Sequence, residues 1–506
     1  MSRTEDGDGS ITKTRRHKGR REGLGSGRSR SPLRSEAESL GSRLGLRWRS
    51  EFGQPPYVGC YGKRSASELA DCEVGGVTSH AVEKRRELAA LHIGGTWGSA
   101  TVCTRLALVG GGTGRHECGN PMNSTTERTV ADFGVRGDGV TDDGEAFQRA
   151  LAAGPGRVMV PAGNYLIGRC LRIGSGVRLV LDKQARMRLA DGVATTPDDY
   201  LLSNANPGPG DMDIVIEGGF WDGNNAGNAR PTGLFDYGCS GALMHFRNVR
   251  GLRVTGVELH NAEAYHLRMT EVYGFHVEGV RFSATRVRHN NDGIHLGGHC
   301  EDGVIRDIKG LHAGVTGDDM IALNADDALL RTEVKGMTGG PIRNIVIEDI
   351  EAHGCHSFVR LLSVFSAIEN ISIRGVRGTC EIAAINCDAA RGCRVTVFDE
   401  KAPPYPNGVG FLKNITADDF VVAKSVANTV ALLRMETRMD HVRITNFRRD
   451  LAADQAPETP TLRLRYAAAD KLVVKGDAAG AGVPATVPFG ETLELNDAVF
   501  TELSIN

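Results

Sequence analysis

The sequence predicts an all-β fold, a single-stranded parallel β-helix of about ten coils opened by a short N-terminal capping helix. Two observations predict it: a short strand pattern that recurs through most of the chain, and a composition rich in glycine and poor in aromatics. Glycine occupies 65 of 506 positions and aromatics make up 6%, which suits a turn-rich repetitive β architecture better than a helical one.

The recurring unit is apolar-x-apolar-x-Gly/Asp/Asn-apolar. It occurs as Ile214-Val215-Ile216-Glu217-Gly218, Leu252-Arg253-Val254-Thr255-Gly256-Val257 and Phe275-His276-Val277-Glu278-Gly279-Val280. It returns as Val304-Ile305-Arg306-Asp307-Ile308, Ile345-Val346-Ile347-Glu348-Asp349-Ile350 and Ile371-Ser372-Ile373-Arg374-Gly375-Val376, with degenerate copies at 415–420 and 442–447. Alternation turns Ile and Val inward, Gly, Asp or Asn takes a corner of positive φ, and the next apolar residue begins a second sheet. One coil cannot bury its inner face alone, so coils must stack. Spacings run from about 23 to about 44 residues, the shorter being one coil and the longer ones coils with inserted loops. A β-sandwich or propeller is the competing architecture; irregular insert lengths and the lack of a blade signature disfavour it.

Ahead of the repeat, Ala131-Asp132-Phe133-Gly134 opens the first patterned segment. A helix is expected over 144–153, with Ala146, Phe147, Ala150 and Leu151 on one face. Two short strands follow, Arg157-Val158-Met159-Val160 and Asn164-Tyr165-Leu166-Ile167, parted by a Pro/Gly turn.

Residues 1–125 differ from the rest. Runs such as Arg15-Arg16-His17-Lys18-Gly19-Arg20-Arg21 carry charge without any sustained apolar period, so this Arg/Gly/Ser-rich segment is expected to be disordered and 126–506 to form the β-helix domain. A nucleic-acid-binding arm is disfavoured because no aromatics interleave the basic residues and no folded module accompanies them. Elsewhere the balance is neutral: net charge is −2 with 24% charged residues, which points to no membrane or nucleic-acid partner. No apolar run approaches the roughly 20 residues that span a bilayer. The first residues are polar and lack a secretory apolar core, giving a cytoplasmic expectation by default. The 11 cysteines form no C-x-x-C pair, so buried small hydrophobes in a reducing compartment are expected, rather than a disulfide framework or a metal or redox cofactor site.

Asn291-Asp292-Gly293 and Gly317-Asp318-Asp319 lie about one repeat apart. If that repeat is one coil, the three aspartates stack on one face and their repulsion pushes at least one toward its protonated form. A charged carboxylate beside a protonated one is the equipment for cleaving a glycosidic bond. The competing reading makes each aspartate a corner cap.

The segment Asp132 to Gly168 resembles the opening of pectate-lyase-superfamily β-helix proteins, with its D-F-G, G-D-G and D-D elements and the V-x-x-P-x-G-x-Y strand pair. Residues 218–378 resemble the polygalacturonase-type glycoside hydrolases of that superfamily. The matching elements, in order, are Gly219-Phe220-Trp221-Asp222-Gly223-Asn224, Asn261-Ala262-Glu263-Ala264-Tyr265-His266, Asn290-Asn291-Asp292-Gly293-Ile294-His295 and Gly317-Asp318-Asp319-Met320-Ile321-Ala322-Leu323. The resemblance implies a right-handed coil, an oligosaccharide or polysaccharide substrate, no cofactor, and an inverting mechanism. In that mechanism Asp318 delivers the proton while Asp319 and Asp292 hold the water. It also implies substrate contacts from Asn291 and from His356 within Gly354-Cys355-His356-Ser357, the best match to the family's G-H-G. Asn324, at the end of the strand after Asp319, is a further substrate-binding candidate, and His266 is expected to be buried and hydrogen-bonded, with substrate contact the alternative. The family's R-I-K pair, which grips a galacturonate carboxylate, falls near Ala384-Ile385-Asn386, where both charges are gone. Arg360 is the nearest cation to stand in, its planar fork suited to bidentate contacts. An acidic pectin backbone is therefore not implied as the substrate.

Among neighbouring polar residues, Asp326-Asp327 is expected to be a solvated loop, and His295, His299 and His312 show no convincing metal-ligand spacing. A lyase or epimerase on the same fold, and a non-catalytic carbohydrate-binding β-helix, are the alternatives. Two origins fit residues 1–121: a native disordered arm, or translated upstream sequence ahead of a native start at Met122. Mass spectrometry of the native protein separates them, since any peptide from 1–121 excludes the Met122 start.

Overall fold

The computed structural model describes residues 126–506 except 195–199, 230–240, 327–337, 390–408, 466, 480–486, 489–492, 497–498 and 506. The Arg/Gly/Ser-rich segment 1–125, with Met122, and also Asp327, lie outside the described residues.

Strands pair with the strand one coil away, and almost every described pairing is parallel. Three rows of strands result. In the first row one column runs Ile216, Val254, Val277, Ile305, Ile347, Ile373, Ala417, Ile444, Val474, and every member is at most 1% exposed. The second row continues from it through Val280, Ile308, Ile350, Val376, Phe420 and Phe447. In the third row Leu171, Leu202, Met244, Leu267, Ile294, Ile321, Val359, Ile385, Leu433 and Leu462 stack in register, all buried. Three inward-facing columns make one continuous core, and each rung sits roughly 4.8 Å above the last.

Corners form where the repeat placed them. Between the first and second rows the chain turns at Gly218, Gly256, Gly279, Asp307, Asp349, Gly375, Asp419 and Asn446, each with φ between 50° and 74°. These are the Gly/Asp/Asn positions of the repeat copies. A second corner column, ahead of the first row, uses Gly251, Gly274, Asp302, Asn344, Asn370 and Asn414, also at positive φ. Asn and Asp tolerate this left-handed geometry better than other L-residues because a short polar side chain can bond locally. Here the side chains bond along the stack: Asn414 Nδ2 donates to Asn370 Oδ1 at 3.0 Å, Asn370 Nδ2 to Asn344 Oδ1 at 2.9 Å, and Asn344 Nδ2 to Asp302 Oδ1 at 2.8 Å.

The helix spans Gly144–Ala152 and buries Phe147, Ala150 and Leu151, with the Phe147 ring edge-on to Tyr165 at 6.1 Å. Cys300, Cys355, Cys380 and Cys387 are buried free thiols, and Cys170 is partly buried. Burial pushes the Cys300 and Cys380 thiols up to about 12, so neither is a thiolate nucleophile.

The expectation for Asp326 is corrected. It is 3% exposed, and its Oδ2 accepts the backbone N–H groups of Val364, Phe365 and Ser366 at 2.7 to 2.9 Å. The carboxylate holds the turn of the next coil instead of meeting solvent, because three convergent backbone donors offset the cost of its burial.

Asn370 joins two neighbours while holding φ at 58°. Asn370→Ala should lower stability by about 1–2 kcal/mol for the left-handed backbone alone, plus the two lost ladder bonds. Asn370→Gly should cost less than half as much. Thermal melts of the two variants check this ordering.

Candidate active site

The site lies on the outer side of the third row, where three successive coils each bring one or two polar residues to the same edge. Asp292 precedes the strand Ile294–Leu296, Asp318 and Asp319 open the strand Asp319–Asn324, and His356 and Arg360 lie in Ile342–Leu362. Register joins them: Gly293 N–H donates to the Asp319 carbonyl at 2.9 Å and His356 N–H to the Thr316 carbonyl at 3.1 Å, while Asp319 pairs with Ser357. Two glycines permit this closeness. A Cβ on Gly293 would lie 2.5 Å from the Met320 carbonyl oxygen, and one on Gly317 would lie 2.1 Å from that of Arg288. These backbone-to-backbone approaches leave no room for any other residue.

All three carboxylates are withdrawn from water. Asp292 is 4%, Asp318 8% and Asp319 1% exposed. Burial, and next the Asp318 charge, raise the Asp292 carboxyl above its ordinary value, against a 2.5 Å contact from His295 Nδ1. Asp319 is driven further. Burial first, then the charges of Asp318 and Asp292, lift it well above the carboxylate range, with Arg360 Nη1 at 4.0 Å opposing. Its Oδ1 has no hydrogen-bond partner among the described residues, which suits a protonated acid better than an anion.

Asp318 goes the other way. Burial would raise it, but the His356 charge and hydrogen bond, the Arg360 charge and the Asn290 amide outweigh that and hold it below its ordinary value. His356 Nδ1 stands 3.2 Å from Asp318 Oδ1 and 4.0 Å from Asp319 Oδ1, and Asn290 Nδ2 donates to Asp318 Oδ2 at 3.1 Å. Burial disfavours the histidine's charge, yet Asp318 and Asp319 lift its pKa to about 9. The cluster therefore favours an imidazolium at His356 and pushes the proton affinities of Asp318 and Asp319 in opposite directions, down for Asp318 and up for Asp319. Like charges so close cannot all ionise, and one fixed cation decides which one does. Oxygens of Asp318 and Asp319 and a His356 nitrogen also lie within 4.8 Å of one another, a spacing that would admit a divalent ion only if His356 gave up its proton.

The fold brings together Asp292, Asp318, Asp319, His356 and Arg360. It treats the other expected contacts differently. Asn291 is 0% exposed and its Nδ2 donates to the Ala262 and Ala264 carbonyls at 3.0 and 2.7 Å, so it ties two coils together and offers nothing to a substrate. His266 is also 0% exposed. Its Nδ1–H donates to the Asp292 carbonyl at 2.9 Å and its ring lies against Phe282 at 4.9 Å. Burial lowers its pKa to about 4, so it is a neutral prop beneath Asp292. Asn324 closes its strand at 1% exposure, within the wall. All three are buried in the coil wall, as Asp292 and Asp319 are.

Three partners escaped the sequence reading. His295, on the other side of Asp292, is fully buried and bonds that carboxylate rather than a metal. Asn290 supports Asp318. Asp388, just past the strand Ile368–Cys387, binds Arg360 in a fork, Nε to Oδ1 at 3.0 Å and Nη2 to Oδ2 at 3.2 Å. The alternation of the third row placed His295 on the outward side, which was the available signal; Asp388 follows a strand end and had none. A cavity of about 360 Å³ elsewhere, between Tyr165, Arg186, Arg188, Phe220 and Asp222, contains no crowded carboxylate group and lies on the second row.

The raised His356 pKa predicts a pH response. A group that binds its proton more tightly when folded stabilises the fold fully below its ordinary value of 6.5 and loses that contribution as pH rises through about 9. The full contribution is about 3 kcal/mol. Unfolding midpoints should therefore fall between pH 6.5 and pH 9 in the native protein, and His356→Gln should flatten that slope.

Comparison with known proteins locates these residues. Residues 127–210 match the family described as rhamnogalacturonase A/epimerase, pectate lyase-like, and residues 209–356 match glycosyl hydrolases family 28. The second match contains Asp292, Asp318 and Asp319 and ends at His356, so Arg360 and Asp388 lie beyond it. A probable polygalacturonase of Arabidopsis thaliana is 27% identical over 274 residues, covering 52% of this chain and 55% of the relative. A polygalacturonase of Prunus persica is 26% identical over 260 residues, covering 48% and 62%. The chain thus spans little more than half the length of these curated relatives. Among solved structures, a family 28 exopolygalacturonase of Yersinia enterocolitica covers 74% of this chain and 78% of its own, at 16% identity and a TM-score of 0.46. Residues 127–356 thus match two adjoining family descriptions, a pectate-lyase-like one and then glycosyl hydrolases family 28 at 209–356.

Proposed function

We propose that the chain is a glycoside hydrolase that cleaves an O-glycosidic bond of an oligosaccharide or polysaccharide by an inverting acid/base mechanism. One observation carries this reading. Three buried aspartates on two consecutive coils have their proton affinities set apart, Asp318 lowered by His356 against its burial and Asp319 raised by burial and then by the Asp318 charge. Separation of the two states is what a proton donor and a base require at one pH.

The acid is the coupled pair Asp318 and Asp319, with one proton between them. Of the two side chains Asp318 is the more open, 12% exposed against 1% for Asp319, so it meets the leaving oxygen. A sugar covering Asp318 displaces the water that supports its anion and raises its affinity for the proton held next door. Asp292, made more basic by burial and oriented by His295, draws the proton from the attacking water. His356 stabilises whichever carboxylate is ionised as the proton moves. The names of the curated relatives, two polygalacturonases, support hydrolysis of a pectin-type glycan.

A lyase or epimerase is the second reading, favoured by the metal-compatible spacing of Asp318, Asp319 and His356. Product analysis distinguishes them: hydrolysis leaves a new reducing end of inverted anomeric configuration, whereas a lyase leaves an unsaturated sugar absorbing in the ultraviolet. Asp318→Asn should lower kcat by about 10³-fold with little change in KM. Retention of full hydrolytic activity in that variant would refute the assignment.

A further inference from the structure

Arg360 follows His356 by four residues on the same strand, and its surroundings bear on what sugar the groove accepts. Its Nε and Nη2 edge is closed by both oxygens of Asp388 at 3.0 and 3.2 Å. The remaining Nη1 points to Asp319 Oδ2 at 4.0 Å. Arg360, Asn386 and Arg434 stand in register on successive coils of the third row, and Arg434 is engaged as well. Its Nη2 lies 3.0 Å from Glu436 Oε2 and its Nη1 4.0 Å from Asp388 Oδ2. Charges along this wall therefore alternate, Arg360, Asp388, Arg434, Glu436, and cancel.

Resting on the hydrolase reading, we propose that Asp388 is a specificity residue that makes the sugar beside Arg360 an uncharged one, either a neutral hexose or a uronate capped as its ester. Of the two bidentate edges of the planar guanidinium, a tethered carboxylate occupies the Nε/Nη2 one, and the Nη1 end faces Asp319. A free uronate would have to displace Asp388, which is 14% exposed at its side chain, while lying close to two anions, Asp388 and Asp318. An ester or hydroxyl carries no charge to be repelled and still accepts or donates a hydrogen bond. Burial would raise the Asp388 carboxyl, but the Arg360 and Arg434 charges hold it below its ordinary value, so the repulsion persists through the mildly acidic range.

The test uses the full chain with matched galacturonan oligosaccharides, either fully methyl-esterified or de-esterified, together with neutral oligosaccharides. Native protein should cleave an uncharged member with kcat/KM at least about 10-fold above the free acid. Asp388→Asn, which keeps the shape and removes the charge, should shrink that ratio by about 10-fold, chiefly through KM for the free acid. Equal or faster cleavage of the free acid by the native protein overturns the inference and leaves the hydrolase reading standing. This comparison needs no variant, so a failure of Asp388→Asn to fold does not blunt it. If no glycan is cleaved, the hydrolase reading fails, and binding to the same oligosaccharides decides the inference. Tighter binding of the uncharged forms upholds it, while equal, reversed or absent binding overturns it.

Discussion

In-register parallel stacking of one coil on the next is the constraint on which the rest of this molecule depends. A single coil exposes its aliphatic inner face, and only a neighbour at the same register covers it. Ile216, Val254, Val277, Ile305 and Ile347 form one uninterrupted column for this reason. A slip of one residue would turn the inner side chains of a strand to solvent. The same register determines which polar residues meet. Asp292 and Asp319 are neighbours because Ile294 must sit on Ile321, and His356 reaches Asp318 because Val359 must sit on Ile321. Carboxylate crowding is thus imposed by the packing of the core beneath it.

That crowding is costly in isolation, since burying several like charges opposes folding. The protein meets the cost in two ways. One proton is retained on Asp319, and opposite charges are supplied by His356 and Arg360. Arg360 in turn is held by Asp388, which is shared with Arg434. Each ionised group at the site consequently has a partner among the described residues. Among the described residues, Arg360 and Arg434 thus each have an acidic partner without any sugar present. Arg360, expected to stand in for the missing Arg/Lys pair, has its Nε/Nη2 edge taken by Asp388.

Much of the fold was legible because its determinants are local. The corner position of each repeat copy, from Gly218 to Asn446, is where the chain turns at positive φ, and that demand shows directly as Gly, Asp or Asn. Asp292, Asp318 and Asp319 were legible for a related reason: the adjoining Gly293 and Gly317 are required by close backbone contacts, so the motifs carry their own spacing. Asp326 was misread because an acidic residue after a strand looks solvated until the three N–H groups of the next coil are seen. Asn291 was assigned to substrate by its neighbours in sequence, whereas its side chain, like that of His266, bonds carbonyls of the coil wall.

By itself, then, the sequence determined the coil, its corners and the aspartates, since period, turn chemistry and glycine placement are properties of a few adjacent residues. Tertiary structure decided which aspartate is ionised, which polar residues are wall and which are groove, and that Asp388 closes on Arg360. Those outcomes depend on burial and on charges that are distant in the chain, 28 residues in the case of Arg360 and Asp388, and a Coulomb interaction in a dry wall is set by distance in space, not by separation along the chain.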